Sequence, residues 1–385
     1  MKIAVYGATG SVGIQTLDVV RKNKDRLETV FLSANSNTDK LAELCAEFLP
    51  PYIGLTGDGL TDAQKSAFEA RLNRENPRYR PVFLYGKSEC AEFLSGASEI
   101  GLAVIAVSGL NGLLPSYTAL KNNIPIALAN KETLVAGGDL IIAEAKKNAL
   151  PIYPVDSEHS AIRECLVGND IKNVDRLILT ASGGPFRTFS AKELKHVTLS
   201  DALNHPTWKM GKKVTVDSAT MMNKGLEIIE AVRLFGIPEE RIDVVVHPES
   251  IVHSMVEYSD RTVMAMMSVP DMRIPISRAF GVGDRLTSGA ERLSLTRLGK
   301  LTFFEPDAKK FPCLSLAREA IRAGGILPTV LNAANERAVE EFSDGRIGFT
   351  EIPVIVECAM QGIKNFEPKS IEEIIEVDKR IRLKG

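Results

Sequence analysis

Hydrophobic and polar positions alternate along residues 1–155 in the rhythm of strand–helix units on a parallel sheet. Short apolar runs that suit buried strands are followed by longer stretches with apolar residues at helical spacing. Residues 56–80 are polar, and we expect an exposed insertion there with a helix over 62–73. The predicted strands are 2–6, 29–32, 103–107, 126–128 and 151–154, and the predicted helices are 13–22, 39–48 and 139–148.

The pattern changes after residue 155, where strand-like runs alternate with loops rich in glycine and serine. We predict a central domain over 156–281, a linker over 282–307 without sustained periodicity, and a helical domain over 308–385. The predicted strands of the central domain are 176–180, 243–246, 252–258 and 262–268, and the predicted helices of the last domain are 314–323, 327–342, 352–362 and 371–381.

Composition narrows the classes of partner. The chain has 47 Lys+Arg and 49 Asp+Glu, a net charge of −2, so no global positive field would attract nucleic acid or an anionic membrane, and we expect neither as a partner. The 5 cysteines are an odd number without a Cys-x-x-Cys pair, which indicates reduced thiols and a cytoplasmic location. The N-terminus begins directly with a strand pattern and lacks the features of a signal peptide.

The sequence GATGSVG at residues 7–13 follows the first predicted strand and opens the first helix. Its glycines allow a tight turn and a close approach of the backbone to a pyrophosphate, although a glycine-rich turn can also be purely structural. The end of the second predicted strand lacks a carboxylate and offers the neutral groups Asn35, Ser36 and Asn37. A carboxylate there would repel a 2′-phosphate, so its absence favours NADPH over NADH, moderately because no arginine is present.

Two carboxylates, Asp156 and Glu158, stand two positions apart just after the predicted strand 151–154. If the extended geometry persists, both point the same way and can hold one metal ion. The pair equally suits the acidic start of a helix, with Ser157 as its cap. The dyad alone does not decide between the two interpretations.

A third carboxylate, Glu227, favours the metal. Helical spacing places Asn223 and Lys224 on the same face as Glu227, and an acid beside an amide and an ammonium suits a metal-bound phosphorylated ligand. Three oxygen ligands with open positions fit Mg²⁺ or Mn²⁺.

Two loops of the central domain carry candidate ligand groups. The sequence SGGPF at 182–186 presents backbone amides and the Ser182 hydroxyl in a form suited to phosphate, although alone it is a common turn. The segment 205–213 places Trp208 beside three lysines, which predicts a mobile lid that covers bound ligand. The alternative for Trp208 is a core tryptophan, against which its polar, basic flanks argue.

Taken together, these motifs resemble the 1-deoxy-D-xylulose-5-phosphate reductoisomerase family. The resemblance implies an α/β protein with a Rossmann-like N-terminal dinucleotide-binding domain, a central α+β catalytic domain and a C-terminal helical bundle. The matching blocks are GATGSVG at 7–13, ANKETLV at 129–135, VDSEHSAI at 155–162, ASGGPF at 181–186, HPTWKMG at 205–211, VDSATMMNKGLE at 216–227, HPESIVHSM at 247–255, PDMR at 270–273 and LNAANE at 331–336.

The resemblance implies that Asp156, Glu158 and Glu227 ligate Mg²⁺ or Mn²⁺ and act in catalysis together with Lys131. The family commonly carries a basic pair where this chain has Asn35-Ser36, and often a glutamine where it has Glu249. With the residues considered above, the candidate substrate contacts are Lys131, Ser157, Ser182, His205, Trp208, Ser218, Asn223 and Lys224, and the candidate NADPH contacts are Thr9, Gly10, Ser11, Val12, Asn35, Ser36, Asn37, Asn130, Glu132 and Gly211.

The implied reaction converts 1-deoxy-D-xylulose 5-phosphate, a small phosphorylated ketose, to 2-C-methyl-D-erythritol 4-phosphate of non-mevalonate isoprenoid biosynthesis. It combines a retro-aldol rearrangement with hydride transfer from NADPH, and the family implies a homodimer. One alternative is a short-chain dehydrogenase, for which Tyr117-x-x-x-Lys121 matches the acid pair but the three carboxylates stay unexplained. The other is a nucleotide-sensing regulator, which needs neither metal nor lid.

Overall fold

The computed structural model describes residues 1–208, 210–281 and 284–383. Its strands are β1 (Lys2–Tyr6), β2 (Glu28–Ala34), β3 (Tyr52–Leu55), β4 (Val82–Tyr85), β5 (Leu102–Ile105), β6 (Ile126–Leu128), β7 (Ile152–Pro154), β8 (Val174–Ala181), β9 (Ile242–Val246), β10 (Val252–Tyr258) and β11 (Val263–Met267). Its helices are α1 (Ser11–Lys22), α2 (Thr38–Phe48), α3 (Asp62–Glu75), α4 (Lys87–Glu92), α5 (Leu113–Lys121), α6 (Lys131–Lys147), α7 (Ser157–Cys165), α8 (Leu199–Leu203), α9 (Lys212–Ala219), α10 (Met222–Phe235), α11 (Arg273–Phe280), α12 (Leu295–Leu298), α13 (Cys313–Ala323), α14 (Leu327–Ser343), α15 (Ile352–Gln361) and α16 (Ile371–Leu383).

The chain forms two compact units. The first consists of Met1–Thr133, Ile141–Asp156 and Met272–Ala290, and the second of Leu134–Leu140, Ser157–Asp271 and the chain from Glu291 onward. Helix α11, which the sequence analysis assigned to the central domain, therefore belongs to the first unit, where it packs on α1. The chain passes from the first unit into the second after Thr133, after Asp156 and after Ala290.

The first unit contains a seven-stranded parallel sheet in the order β4-β3-β2-β1-β5-β6-β7. Strand order reverses beside β1, and in open α/β sheets this switch point, at the carboxyl ends of the strands, is where ligands bind. The glycine turn at residues 7–13 directly follows β1. The predicted Rossmann-like sheet is confirmed, and its switch point coincides with the predicted dinucleotide motif.

The prediction that residues 56–80 form an exposed insertion is wrong. The predicted helix exists as α3, but it connects β3 to β4 within the sheet, and Phe68 and Leu72 on it are only 4% and 2% exposed. Both strands were absent from the prediction because neither is a continuous buried apolar run: Gly54 interrupts β3, and the side chains of β4 are partly or fully exposed. Because α3 is polar, the strand–helix–strand segment that it forms with β3 and β4 was not predicted.

The second unit has a four-stranded sheet in the order β11-β10-β8-β9, in which only β8 and β9 run parallel. Helix α10 packs on α13, and α14 packs on both α15 and α16. The four predicted C-terminal helices are confirmed to within two residues at each end. Within the described part of the chain, every helix is too short or too polar to cross a lipid bilayer.

Candidate active site

Three carboxylates converge where the chain leaves β7. Asp156, Glu158 and Glu227 each present an oxygen atom, and these atoms lie within 4.8 Å of one another. The Lys131 ammonium lies 2.8 Å from a carboxylate oxygen of Asp156, with both side chains largely buried. The donor set is all oxygen, which suits a hard divalent cation such as Mg²⁺ or Mn²⁺.

The geometry of the Asp156–Glu158 dyad differs from the extended one expected. Helix α7 begins at Ser157, so Glu158 lies in its first turn, where a negative charge is stabilised by the helix dipole. The Ser157 hydroxyl donates to Glu158 at 2.5 Å. The helix-start and metal-ligand interpretations are therefore compatible, because the start of α7 itself brings the carboxylates into the cluster.

The predicted face of α10 is confirmed. The Asn223 amide donates to Glu227 Oε1 at 2.6 Å, and the Lys224 ammonium bonds Glu227 Oε2 as well as Glu158 Oε1, the latter at 2.7 Å. Burial alone would lower the pKa of Lys224, but the charges of Glu158 and Glu227 outweigh it and raise that pKa. Lys224, predicted to bind phosphate, here holds two of the candidate metal carboxylates together.

A second group of candidate ligands lies deeper. Asp156, His159 and Glu230 also present ligand atoms within 4.8 Å of one another, but His159 and Glu230 are almost fully buried. His159 Nε2 lies 2.9 Å from the backbone oxygen of Glu227, which can only accept, so Nε2 carries the proton. His159 therefore supports the Glu227 backbone from inside. The sequence pattern did not predict this group.

The candidate phosphate-binding hydroxyls of the second unit lie next to the imidazole of His205. His205 Nε2 lies 2.9 Å from the Ser182 hydroxyl and 3.1 Å from the Ser218 hydroxyl. Nδ1 of His205 accepts from the backbone amides of Thr207 and Trp208, so Nε2 carries the proton and faces the two hydroxyls as a donor. Burial lowers the pKa of His205, which keeps it neutral near pH 7.

The glycine loop fits tightly against helix α9. Gly183 and Gly184 have φ of +80° and +66°, and a Cβ on Gly184 would lie 2.7 Å from the Ser218 backbone oxygen. The Gly184 amide donates to the Ser182 hydroxyl at 3.2 Å. Only glycine permits this close approach, which brings the two serines together.

The predicted lid spans residues 205–213, of which Lys209 lies outside the described residues. Trp208 is half-buried and meets the His253 ring edge-on at a centroid distance of 6.3 Å. His253, on β10, is buried and hydrogen-bonds the Ser268 hydroxyl at 2.8 Å, and burial lowers its pKa. The sequence signal for His253 was its place in the HPESIVHSM block, to which no role had been assigned.

The glycine turn after β1 has the shape expected of a dinucleotide cradle. Gly7 has a φ of +85°, and a Cβ on Gly13 would lie 2.2 Å from the Gly7 oxygen. Helix α1 has Gly10 as its N-cap with no side-chain cap, so its first amides face outward. The candidate contacts at Thr9, Gly10, Ser11 and Val12 all lie in this turn and the start of α1.

The other candidate cofactor residues have identifiable positions. Asn35 and Ser36 are exposed after β2, whereas Asn37 caps α2, accepting from the Lys40 amide at 3.1 Å. Asn130 caps α6 and donates to Glu132 at 2.9 Å. Gly211 is exposed at the start of α9. Exposure of Asn35 and Ser36 agrees with a role in ligand contact, while Asn37 and Asn130 have structural roles as well.

Comparison with known proteins identifies the family. The sequence-family model of 1-deoxy-D-xylulose 5-phosphate reductoisomerase matches residues 3–138, and two family models of its C-terminal domain match residues 152–235 and 267–384. Proteins of that name from Pelodictyon phaeoclathratiforme and Clostridium tetani are 47% and 45% identical to the chain over 380 residues. These alignments cover 99% and 98% of this chain, and 97% of each relative.

Solved structures agree with this result. A DOX-P reductoisomerase in complex with NADPH, fosmidomycin and magnesium superposes with a TM-score of 0.92 at 38% identity, covering 99% of this chain and 96% of that one. The reductoisomerase from Zymomonas mobilis in complex with NADPH gives 0.88 at 39% identity, covering 99% and 97%. This chain therefore belongs to the 1-deoxy-D-xylulose 5-phosphate reductoisomerase family.

Proposed function

We propose that Asp156, Glu158 and Glu227 hold the divalent metal of the family's reaction, and that Ser182, Ser218 and His205 bind the substrate phosphate. The reaction is the NADPH- and metal-dependent rearrangement and reduction of 1-deoxy-D-xylulose 5-phosphate to 2-C-methyl-D-erythritol 4-phosphate. The observation that carries the proposal is the convergence of three carboxylate oxygens within 4.8 Å, at the start of one helix and on the face of another. Neither the short-chain dehydrogenase nor the regulator accounts for that cluster.

A bound Mg²⁺ or Mn²⁺ would supply Lewis acidity to the adjacent oxygens of the hydroxyketone. Lys131, beside Asp156, adds positive charge where the rearrangement develops negative charge. Ser157, one residue from each of two carboxylates, is proposed to orient the hydroxyketone end. These groups act by orientation and charge, which lower the barrier only when they are held in place beforehand.

The phosphate would be held by neutral donors and one ammonium. His205 offers its Nε2 proton beside the Ser182 and Ser218 hydroxyls, and the Gly184 amide lies in the same loop. Asn223 and Lys224, both on α10, are proposed to complete the phosphate site. Binding energy from a phosphate remote from the reacting carbons serves to orient the substrate, and Trp208, edge-on to His253, is proposed to exclude water.

For the cofactor, we propose NADPH on the turn of residues 7–13, with its pyrophosphate at the uncapped start of α1. Asn35 and Ser36 are proposed to face the ribose 2′-phosphate with neutral donors. Two solved relatives bind NADPH. The remaining proposed contacts are Thr9, Gly10, Ser11, Val12, Asn37, Asn130, Glu132 and Gly211.

We also propose a homodimer that forms through β11, one of the two edge strands of the four-stranded sheet. Its side chains Val263, Met264 and Met267 are 48%, 43% and 38% exposed, and an edge strand with apolar side chains is a template for pairing with a second copy. Light scattering after size exclusion should give a dimer for the wild type and a monomer for Met264→Lys. A cytoplasmic location is proposed from the free cysteines, four of which are buried.

The experiment that tests the function follows NADPH absorbance with 1-deoxy-D-xylulose 5-phosphate and Mn²⁺ or Mg²⁺. Oxidation should require the metal, stop on addition of a chelator, and run much more slowly with NADH. Substrate-dependent oxidation that persists in chelator would contradict the metal proposal. Equal rates with NADH and NADPH would contradict the proposed cofactor preference.

A further inference from the structure

The LNAANE block at residues 331–336 lies on α14, and the proposed function gives it no role. Both of its asparagines, Asn332 and Asn335, are fully buried. A buried amide is costly unless it is hydrogen-bonded, so each requires a physical reason to be there. Asn332 donates within α14 to Glu336 at 3.1 Å, whereas Asn335 reaches another helix.

The partner of Asn335 is Asp217 on α9. The Asn335 amide donates to Asp217 Oδ1 at 2.8 Å, and Lys213, one turn earlier on α9, lies 2.8 Å from Oδ2. Asp217 is 1% exposed, so its charge is buried and depends on these two partners. Lys213 ends the segment proposed as the lid, and Asp217 precedes the proposed phosphate ligand Ser218.

Adjacent residues of a helix point about 100° apart, so holding Asp217 fixes the rotation of α9 and the direction of the Ser218 hydroxyl. That direction has little tolerance. The hydroxyl lies 3.1 Å from His205 Nε2, and the Ser218 backbone packs so closely on Gly184 that a Cβ there would lie at 2.7 Å. A rotation of α9 would therefore move the Ser218 hydroxyl away from His205 Nε2 and from the Ser182 hydroxyl.

We infer that Asn335, acting through the buried Asp217 carboxylate, is a positioning residue for the substrate phosphate, an inference that rests on the proposed role of Ser218. Helix α14 of the helical region thereby takes part in substrate affinity without touching the substrate. The contact also joins the end of the lid segment to the same anchor, because Lys213 and Asn335 share one carboxylate.

The test compares Asn335→Ala with Asn332→Ala, a matched loss of a fully buried amide three residues away on the same helix. Asn335→Ala should raise KM for 1-deoxy-D-xylulose 5-phosphate about tenfold and weaken competitive inhibition by inorganic phosphate by a similar factor, because the displaced Ser218 hydroxyl would lose one hydrogen bond to the charged phosphate. KM for NADPH and kcat should change less than threefold. Asn332→Ala should lower thermal stability to a similar extent and leave the substrate KM within threefold.

Ser218→Ala separates the inference from the function on which it rests. If Ser218→Ala does not raise the substrate KM, the proposed phosphate site is wrong. If Ser218→Ala raises it but Asn335→Ala does not, or if Asn332→Ala raises it equally, the inference is overturned. If Asn335→Ala is insoluble, Lys213→Met replaces it, because Lys213 is partly exposed and is the other partner of Asp217. An unchanged substrate KM and unchanged phosphate inhibition in Lys213→Met would then overturn the inference.

Discussion

Replacing Glu227 with glutamine discriminates between the two groups of candidate metal ligands. Asp156 belongs to both groups, whereas Glu227 belongs to the outer one and Glu230 to the inner one. Both glutamates lie on α10, three residues apart, and are 1% and 3% exposed. Glu230→Gln is therefore a matched control, because it removes the same charge from the same helix at the same depth.

The expected size of the effect follows from the geometry. A cation within a cluster whose oxygens lie no more than 4.8 Å apart is within about 4 Å of each carboxylate, where one carboxylate charge attracts a divalent ion by about 8 kcal/mol at an effective dielectric constant near 20. Part of that is recovered because an amide oxygen can still coordinate. We take a net loss of about 3 kcal/mol, which weakens metal affinity about 100-fold.

The assay is the initial rate as a function of Mn²⁺ concentration, at saturating NADPH and substrate. Glu227→Gln should move the half-saturating Mn²⁺ concentration upward about 100-fold, and Glu230→Gln should move it less than fivefold. Thermal unfolding without metal checks that both variants are folded, since Lys224 loses one of its two carboxylate partners in Glu227→Gln. A half-saturating concentration unchanged in Glu227→Gln, or displaced equally in both variants, would refute the assignment to the outer group.

Three other predictions concern the turn, α6 and the lid. Gly13→Ala should weaken NADPH binding at least tenfold in a fluorescence titration, because its Cβ would lie 2.2 Å from the Gly7 oxygen. Gly138→Ala should lower the free energy of unfolding by about 3 kcal/mol in a urea titration. The new Cβ would lie 2.2 Å from Cδ of the buried Arg233 and would displace the hydrogen bonds that the Arg233 guanidinium makes. In the double variant Gly138→Ala/Arg233→Ala the two losses should not add. ¹⁵N NMR should find His205 protonated at Nε2, with burial holding its pKa below 6.5. The neutral imidazole then contributes to stability above pH 6.5, and this contribution is lost as the pH falls through the lowered pKa. A proton on Nδ1 or a pKa above 6.5 would contradict this prediction.

Local periodicity predicted the elements well where they are long or strongly apolar. Strands β1, β6 and β10 begin and end at the predicted residues, and α13–α16 lie within two residues of the predictions. Helix α6 begins eight residues before the predicted start at Asp139, at Lys131. The glycines at 137 and 138 interrupt its periodic signal, and Gly138 is required there by the approach of Arg233 from α10, a contact that no local pattern contains.

The site was predictable to the extent that it depends on spacing along one helix. Asn223, Lys224 and Glu227 share a face because residues three and four apart on a helix are neighbours, and the structure confirms their contacts. His159 and Glu230 were missed because their proximity depends on α7 packing against α10. Glu249, noted only as a departure from the family, accepts from the Thr302 hydroxyl at 2.6 Å, a contact across 53 positions that sequence alone does not reveal.

Lys224 connects the two halves of the proposed site through its donor count. An ammonium has three N–H groups, and here two of them point to Glu158 and Glu227. One donor is left for a phosphate oxygen, so Lys224 can serve the phosphate while it still neutralises the carboxylates. Because the same carboxylates are the proposed metal ligands, a metal that takes their charge would free the ammonium for the phosphate. With Lys224 in its proposed role, we expect phosphate to bind more tightly once the metal is present, and by reciprocity the metal to bind more tightly once the phosphate is present.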